Sequence, residues 1–267
     1  MDLQVQYYKD DKKDKISKRV FTMLVYILLV VFFVFTTISF VFQTRYKFIL
    51  VNGVSMQNTL NDKCGDTQGF QDGVYVRLTK DVDYNDIIVL EKVGEETTII
   101  KRAMAFEGDK ITIAKLEIDG EESFRFMRMK RGSNELEVLD ESEYIKSYED
   151  WDKGQLYETV GDIKYEKNFY QTYLKNGSTV KETYQGVEYE FAVVGEGRVY
   201  YMGDNRARSK DCRETGTAPH DKIVGRVVKI AHNVYSAKNS PFFLFNYLSS
   251  YLSVIWNDII DYFTFKA

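Results

Sequence analysis

The sequence predicts a mostly β protein carried on one membrane-spanning helix near its N-terminus, and three observations lead there. A run free of charged residues, 20–42, is long enough to cross a hydrocarbon core of ~30 Å as a helix. Short segments rich in β-branched and aromatic residues, bounded by turn signals, then recur between residues 46 and 230. The chain is also aromatic, with 20 Tyr and 18 Phe, a usage that suits strands and a membrane interface alike. At 267 residues and 44% apolar composition it can bury a real core. A net charge of -4 with no dominant basic patch argues against a nucleic-acid partner.

Residues 1–19 are polar and place Lys9, Lys12, Lys13, Lys15, Lys18 and Arg19 before the apolar run, whereas Arg45 and Lys47 are the nearest cations after it. That asymmetry keeps the N-terminus cytoplasmic and sends the rest of the chain outward. The run exceeds the ~7–15 apolar residues of a cleavable signal, and Gln43-Thr44-Arg45 is no small-x-small site, so it reads as an uncleaved anchor.

Strands are expected at 46–51, 74–78, 86–92, 97–106, 187–194, 198–202 and 223–230, with a hairpin near 115–130 and a turn at Asp83-Tyr84-Asn85. The loop 61–71 holds Cys64 and reads as a surface insertion, with a role in gating substrate as the alternative. Charge clusters across 114–195 read as solvated surface, and the stretch 141–174 mixes helical and strand signals with no catalytic pattern. At 241–265, Asn246, Ser250, Ser253, Asn257 and Asp261 fall opposite Leu248, Leu252, Ile255 and Ile259 at helical spacing, an amphipathic helix. Lying on the membrane, packing on the protein and crossing as a second span all stay open for it. Cys64 and Cys212 are too few for a disulfide framework, and two free thiols are the simpler reading, although one bridge is open to an extracytoplasmic chain.

The chemistry starts at Ser55, in VNGVSMQNTL just beyond the anchor. A serine hydroxyl reacts at neutral pH only with a base in hydrogen-bond reach and donors for the oxyanion. The two histidines, His220 and His232, sit in a C-terminal stretch without an obvious carboxylate partner. Lys101 is the other source of a base. It follows Ile99 and Ile100 in a strand-like run, and burial there lowers an amine's pKa so that it can accept a proton. No metal-ligand spacing of His, Cys or acidic residues appears, and no cofactor is expected.

Three boxes in order complete the pattern: SMQNTL at Ser55, KRAMAFEGD at Lys101 and GDNRARSKDCR from Gly203. The chain thereby resembles the bacterial type I signal peptidases, membrane-anchored Ser/Lys proteases that remove signal peptides from exported proteins. Their boxes read Ser-Met-x-Pro-Thr-Leu; Lys-Arg, two apolar residues and Gly-x-Pro-Gly-Asp; and Gly-Asp-Asn-Arg followed by Ser and Asp-Ser-Arg. Asn58, Ala105, Glu107 and Cys212 depart from that pattern.

The resemblance implies an antiparallel β catalytic domain, 43–113 and 196–235, with an inserted α+β subdomain, 114–195, on the transmembrane anchor. It implies Ser55 as nucleophile and Lys101 as base. Ser209 would hydrogen-bond the lysine, Asp211 and Arg213 would form a bracing ion pair, Asp204, Asn205 and Arg206 would shape the turn, and Arg102 would support. Gly53 stands where some relatives carry an assisting serine, so main-chain N–H groups around Gly53, Val54 and Met56 would meet the oxyanion. Signal peptides of exported preproteins and the lipid bilayer would be the partners, beside the secretion translocon at the cell membrane. Two other readings remain: a cytosolic self-cleaving repressor sharing the dyad, opposed by the anchor and the last box, and an inactive membrane-tethered binding or assembly module of the same fold.

Overall fold

The computed structural model describes residues 2–57, 59–61, 71–92, 97–118, 121–141, 143–144, 178–206, 209–232, 234, 252–254 and 256. It falls into two units, Met1–Tyr46 and Lys47–Ala267.

The first unit is helix α1, Asp2–Arg45. Leu, Ile, Val and Phe crowd its middle, and these side chains are exposed. Its portion Lys15–Arg45 is long and apolar enough to cross a membrane, and contains the expected run 20–42. The helix extends N-terminally beyond that run, because Lys, Asp and Gln sustain helical turns without interruption by Pro or Gly.

The second unit is mostly antiparallel β, as the sequence predicts. Its strands are β1 Tyr46–Leu50, β2 Gly73–Arg77, β3 Ile87–Glu91, β4 Thr98–Phe106, β5 Lys110–Ile118, β6 Glu121–Met129, β7 Glu137–Val138, β8 Ser178–Tyr184, β9 Val187–Val193, β10 Arg198–Met202, β11 Ala218–Pro219 and β12 Ile223–Ala231. A short helix α2, Cys212–Thr215, precedes β11. One sheet has seven strands in the order β1-β2-β12-β3-β4-β10-β11, and the other five in the order β7-β6-β5-β9-β8.

Period-two alternation explains how the first sheet holds two apolar faces. On β3, Ile88 and Leu90 enter one core cluster with Ala103, Met104, Tyr200 and Met202. Val89, between them, enters a second cluster with Val51, Met56, Leu60, Val74 and Val76. The second cluster lies beneath the SMQNTL segment and anchors it through Met56 and Leu60. Each such side chain, fully buried, contributes about 1.5–3 kcal/mol.

The turn from β4 to β5 carries the chain between the sheets. Asp109 N–H donates to Phe106 O at 3.0 Å, and Gly108 takes a φ of +81° that favours glycine. Glu107, where the resemblance expects proline, accepts from Gly197 N–H at 2.9 Å and pairs with Arg131 at 2.8 Å. Hydrogen bonds here restrain a turn that a proline ring would restrain covalently. Within 114–195 the described residues form strands and the turns and loops beside them; the mixed stretch 141–174, apart from Glu141, Glu143 and Tyr144, lies outside the described residues. So do Cys64 and all of 241–265 except Leu252, Ser253, Val254 and Trp256, which are helical.

Candidate active site

Lys101 lies on β4, a strand paired on both edges, opposite Ile88 of β3. Interior strands bury side chains that an edge would leave wet, and Lys101 is only 4% exposed. Its Nζ is 2.5 Å from Ser55 Oγ. Burial lowers the lysine pKa; Asp211 and Asp204 pull it back up, and Arg213 pushes it down. The net direction is downward, toward a neutral amine at lower pH than an exposed lysine allows.

Ser55 is half-exposed in a turn-rich segment. Gln57 N–H bonds to Val54 O at 3.0 Å, and Leu60 N–H to Met56 O at 2.7 Å. Gly53 has a φ of +92° and open space where a Cβ would sit. Its place therefore suits both an unusual turn and the close approach of another backbone. Asn61 clamps the segment from behind. Its Nδ2 donates to Val51 O at 2.9 Å and to Gly53 O at 3.1 Å, while its Oδ1 accepts Asp72 N–H at 2.8 Å.

The last box wraps the other side. Asn205 N–H donates to Ser55 O at 3.1 Å. Asp211 caps α2 and faces Arg213 through two contacts, Nε to Oδ1 at 2.8 Å and Nη2 to Oδ2 at 2.9 Å, so the expected ion pair is formed. Burial opposes the Asp211 charge, but the Arg213 guanidinium and the Gly203 N–H hold its carboxyl below the ordinary range. Asp204 takes Arg102 in a two-point contact, 2.8 and 2.6 Å, and also accepts Thr59 Oγ1–H at 2.5 Å. Arg102 alternates away from Lys101, so one strand supplies a buried amine on one side and a buried guanidinium on the other.

The Ser209 side chain is buried beside Asp211, and its hydroxyl helps to hold the Asp211 carboxyl below the ordinary range. It sits tight over the Gly203 α-carbon, where a Cβ would meet Ser209 Oγ at 2.2 Å, while the Lys101 amine turns to Ser55. Cys212 carries a free thiol inside the first core cluster, its Sγ 3.1 Å from Tyr201 N, and burial pushes the thiol pKa up. A residue in the serine's place thus accepts a main-chain hydrogen bond and stays protonated.

Sequence reasoning missed four residues. Thr59 and Asn61 stand within or beside the first box, and no local pattern marks their partners. Glu141 and Tyr144 come from the stretch expected to be solvated surface. Instead Glu141 is 1% exposed and paired with Arg206, and the Tyr144 ring lies 4.0 Å from the Arg102 guanidinium carbon. Partner charges lying far apart in sequence hid this pairing.

The sequence model of the family described as "Signal peptidase, peptidase S26" matches residues 18–231. No curated protein matches the chain by sequence. Among solved structures, the crystal structure of a signal peptidase I from Enterococcus faecalis V583 matches at 15% identity and a TM-score of 0.30, covering 56% of this chain and 97% of that one.

Proposed function

The chain belongs to the peptidase S26 signal peptidase family, and from that premise we propose that it is a membrane-tethered serine endopeptidase whose Ser55 and Lys101 cleave signal peptides from exported preproteins. The observation that carries this reading is the 2.5 Å approach of a buried lysine amine to Ser55 Oγ. A base must reach the proton it removes, and this one does.

In the reaction, neutral Lys101 takes the Ser55 proton as Oγ adds to the scissile carbonyl carbon. Main-chain N–H groups around Gly53, Val54 and Met56 face the developing oxyanion, since glycine at 53 offers no hydroxyl. The C–N bond then breaks, the leaving amine takes the proton from the Lys101 ammonium, and an ester to Ser55 remains. Lys101 next deprotonates water, which attacks the ester carbonyl; Ser55 leaves and recovers its proton. Asp211, Arg213, Asp204, Asn205, Arg206 and Arg102 hold the frame, and Ser209 packs behind Gly203.

Residues 20–42 tether this unit to the cell membrane as a single span, with the N-terminus cytoplasmic and the enzyme beside the secretion translocon. The catalytic domain comprises 43–113 and 196–235, and 114–195 is inserted into it. The test is cleavage of a preprotein carrying an Ala-x-Ala site by the detergent-purified chain, with Ser55→Ala and Lys101→Met. Cleavage after the second Ala that both substitutions abolish is the expected result. A folded but inert wild type across several preproteins would leave a tethered binding module as the account.

A further inference from the structure

Glu141 and Tyr144 lie well outside the three boxes, yet close a ring between two of them. Glu141 Oε2 accepts Arg206 Nη1–H at 3.1 Å, Arg206 Nη2 bonds Glu141 Oε1, and the same oxygen accepts the Tyr144 hydroxyl at 3.1 Å. Arg206 Nε donates to Gly203 O at 3.1 Å, and Arg206 O accepts Arg213 Nη2–H at 2.8 Å. The Tyr144 ring lies against the Arg102 guanidinium at 4.0 Å, on the residue next to Lys101. From Glu141 the connections therefore run one way to Gly203, whose α-carbon abuts Ser55 O, and the other way through Tyr144 to β4.

We propose that Glu141 and Tyr144 form a latch by which the segment after β7 sets the position of Lys101 against Ser55. They are positioning residues, acting through Arg206 and Arg102. The proposal rests on the Ser55–Lys101 reading above. Three physical features favour a latch over a passive brace. Glu141 and Arg206 are both nearly fully buried, at 1% and 5% exposure, so neither is stabilised by water if the other leaves. The contact is bidentate, which fixes direction as well as distance. The ring over Arg102 adds a cation–π contact in a desolvated place.

The charged and titratable groups that act on Lys101 are Asp211, Asp204, Arg213 and Cys212. Glu141→Gln leaves all of them in place and removes one negative charge, which by itself lowers the Lys101 pKa, so a rise at Lys101 reports movement. Loosened packing admits water, relieves burial and lets the Lys101 pKa rise toward its ordinary value.

The experiment uses the full chain in detergent. The Lys101 ¹³Cε resonance, assigned by its loss in Lys101→Met, is titrated in wild type, Glu141→Gln, Glu141→Asp and Tyr144→Leu, and preprotein cleavage is measured on the same samples. Expected for Glu141→Gln are a higher Lys101 midpoint, a kcat lower by roughly ten- to a hundredfold and a nearly unchanged KM. Glu141→Asp, which keeps the charge, recovers part of both. If Glu141→Gln does not fold, Tyr144→Leu carries the same expectation with every charge retained. A lower melting temperature with midpoint and kcat unmoved overturns the latch and leaves a brace. Should the wild type cut nothing, the peptidase reading fails, and the Lys101 midpoint alone then decides for or against the latch.

Discussion

Ser55 O accepts the Asn205 N–H at 3.1 Å, so the backbone of the proposed nucleophile is pinned to the last box independently of its side chain. Between the two residues lies Gly203, whose α-carbon leaves no room for a methyl: a Cβ there would sit 2.4 Å from Ser55 O and 2.2 Å from Ser209 Oγ. Gly203→Ala must therefore push Ser55 away from its neighbours. A shift of ~1 Å costs on the order of a hundredfold in rate, so kcat should fall by about that factor. Wild-type kcat in a folded Gly203→Ala protein would show that Ser55 tolerates displacement.

Lys101 links catalysis to stability with a definite sign. Burial holds its pKa below the ordinary 10.5. Between the depressed value and 10.5 the unfolded chain keeps a proton that the folded chain has released, so wild-type stability rises with pH across that window. Below the window both states are protonated and the folded state carries the full cost of a buried ammonium, about 1.4 kcal/mol for each unit of depression. Lys101→Met lacks this cost. Its stability advantage over wild type should be largest at low pH and shrink as pH climbs toward 10.5. Urea unfolding of both proteins over a pH series measures the difference; a flat or growing difference contradicts the buried-amine assignment. Cleavage should follow the same group, its rate rising as pH rises through the Lys101 midpoint.

Much of this was legible in the sequence because the relevant signals are local. RVYYM is β10 to the residue, and Ile99-Ile100-Lys101 announces a lysine in an apolar strand, which alternation alone places beside Ala103. The Asp211–Arg213 pair lies two residues apart, and the resemblance of the last box implies it. Long-range pairings were not. Nothing near Glu141 marks it as the partner of Arg206, and nothing near Thr59 marks Asp204 as its acceptor, because ion pairs and hydrogen bonds across a sheet leave no periodic trace. The position of Ser209 in the box is readable, but its close packing against Gly203 is not.

Asn61 should matter beyond its size. It sits at a φ of +58°, and its side chain satisfies the carbonyls of Val51 and Gly53 on the loop before Ser55. Asn61→Gly keeps the backbone relaxed but orphans those carbonyls, a loss of about 1–3 kcal/mol for each group left buried without a partner. Asn61→Ala loses the same bonds and adds roughly 1 kcal/mol of left-handed strain. The expected order of melting temperature is wild type, then Asn61→Gly, then Asn61→Ala. Kinetic loss should be similar in the two variants, since both free the loop. If Ala proves the more stable, the left-handed backbone at 61 is not retained in solution.

Asp204 is where three elements meet, and it separates charge from hydrogen bonding. It holds Arg102 through two contacts and Thr59 through a third, and its side chain is fully buried. Asp204→Asn leaves the Arg102 guanidinium buried without a counter-charge, which costs about 3–5 kcal/mol for a broken buried pair. Thr59→Val removes only a neutral donor and conserves the side-chain shape, costing about 1–3 kcal/mol. The two changes share one acceptor, so their effects should not add: the double variant should be less destabilised than the sum by roughly 0.5 kcal/mol or more. Equilibrium unfolding of the four proteins in the cycle measures that term. Strict additivity would mean that Thr59 and Arg102 do not share Asp204, and that the first box is tied to the last through Asn205 and Gly203 alone.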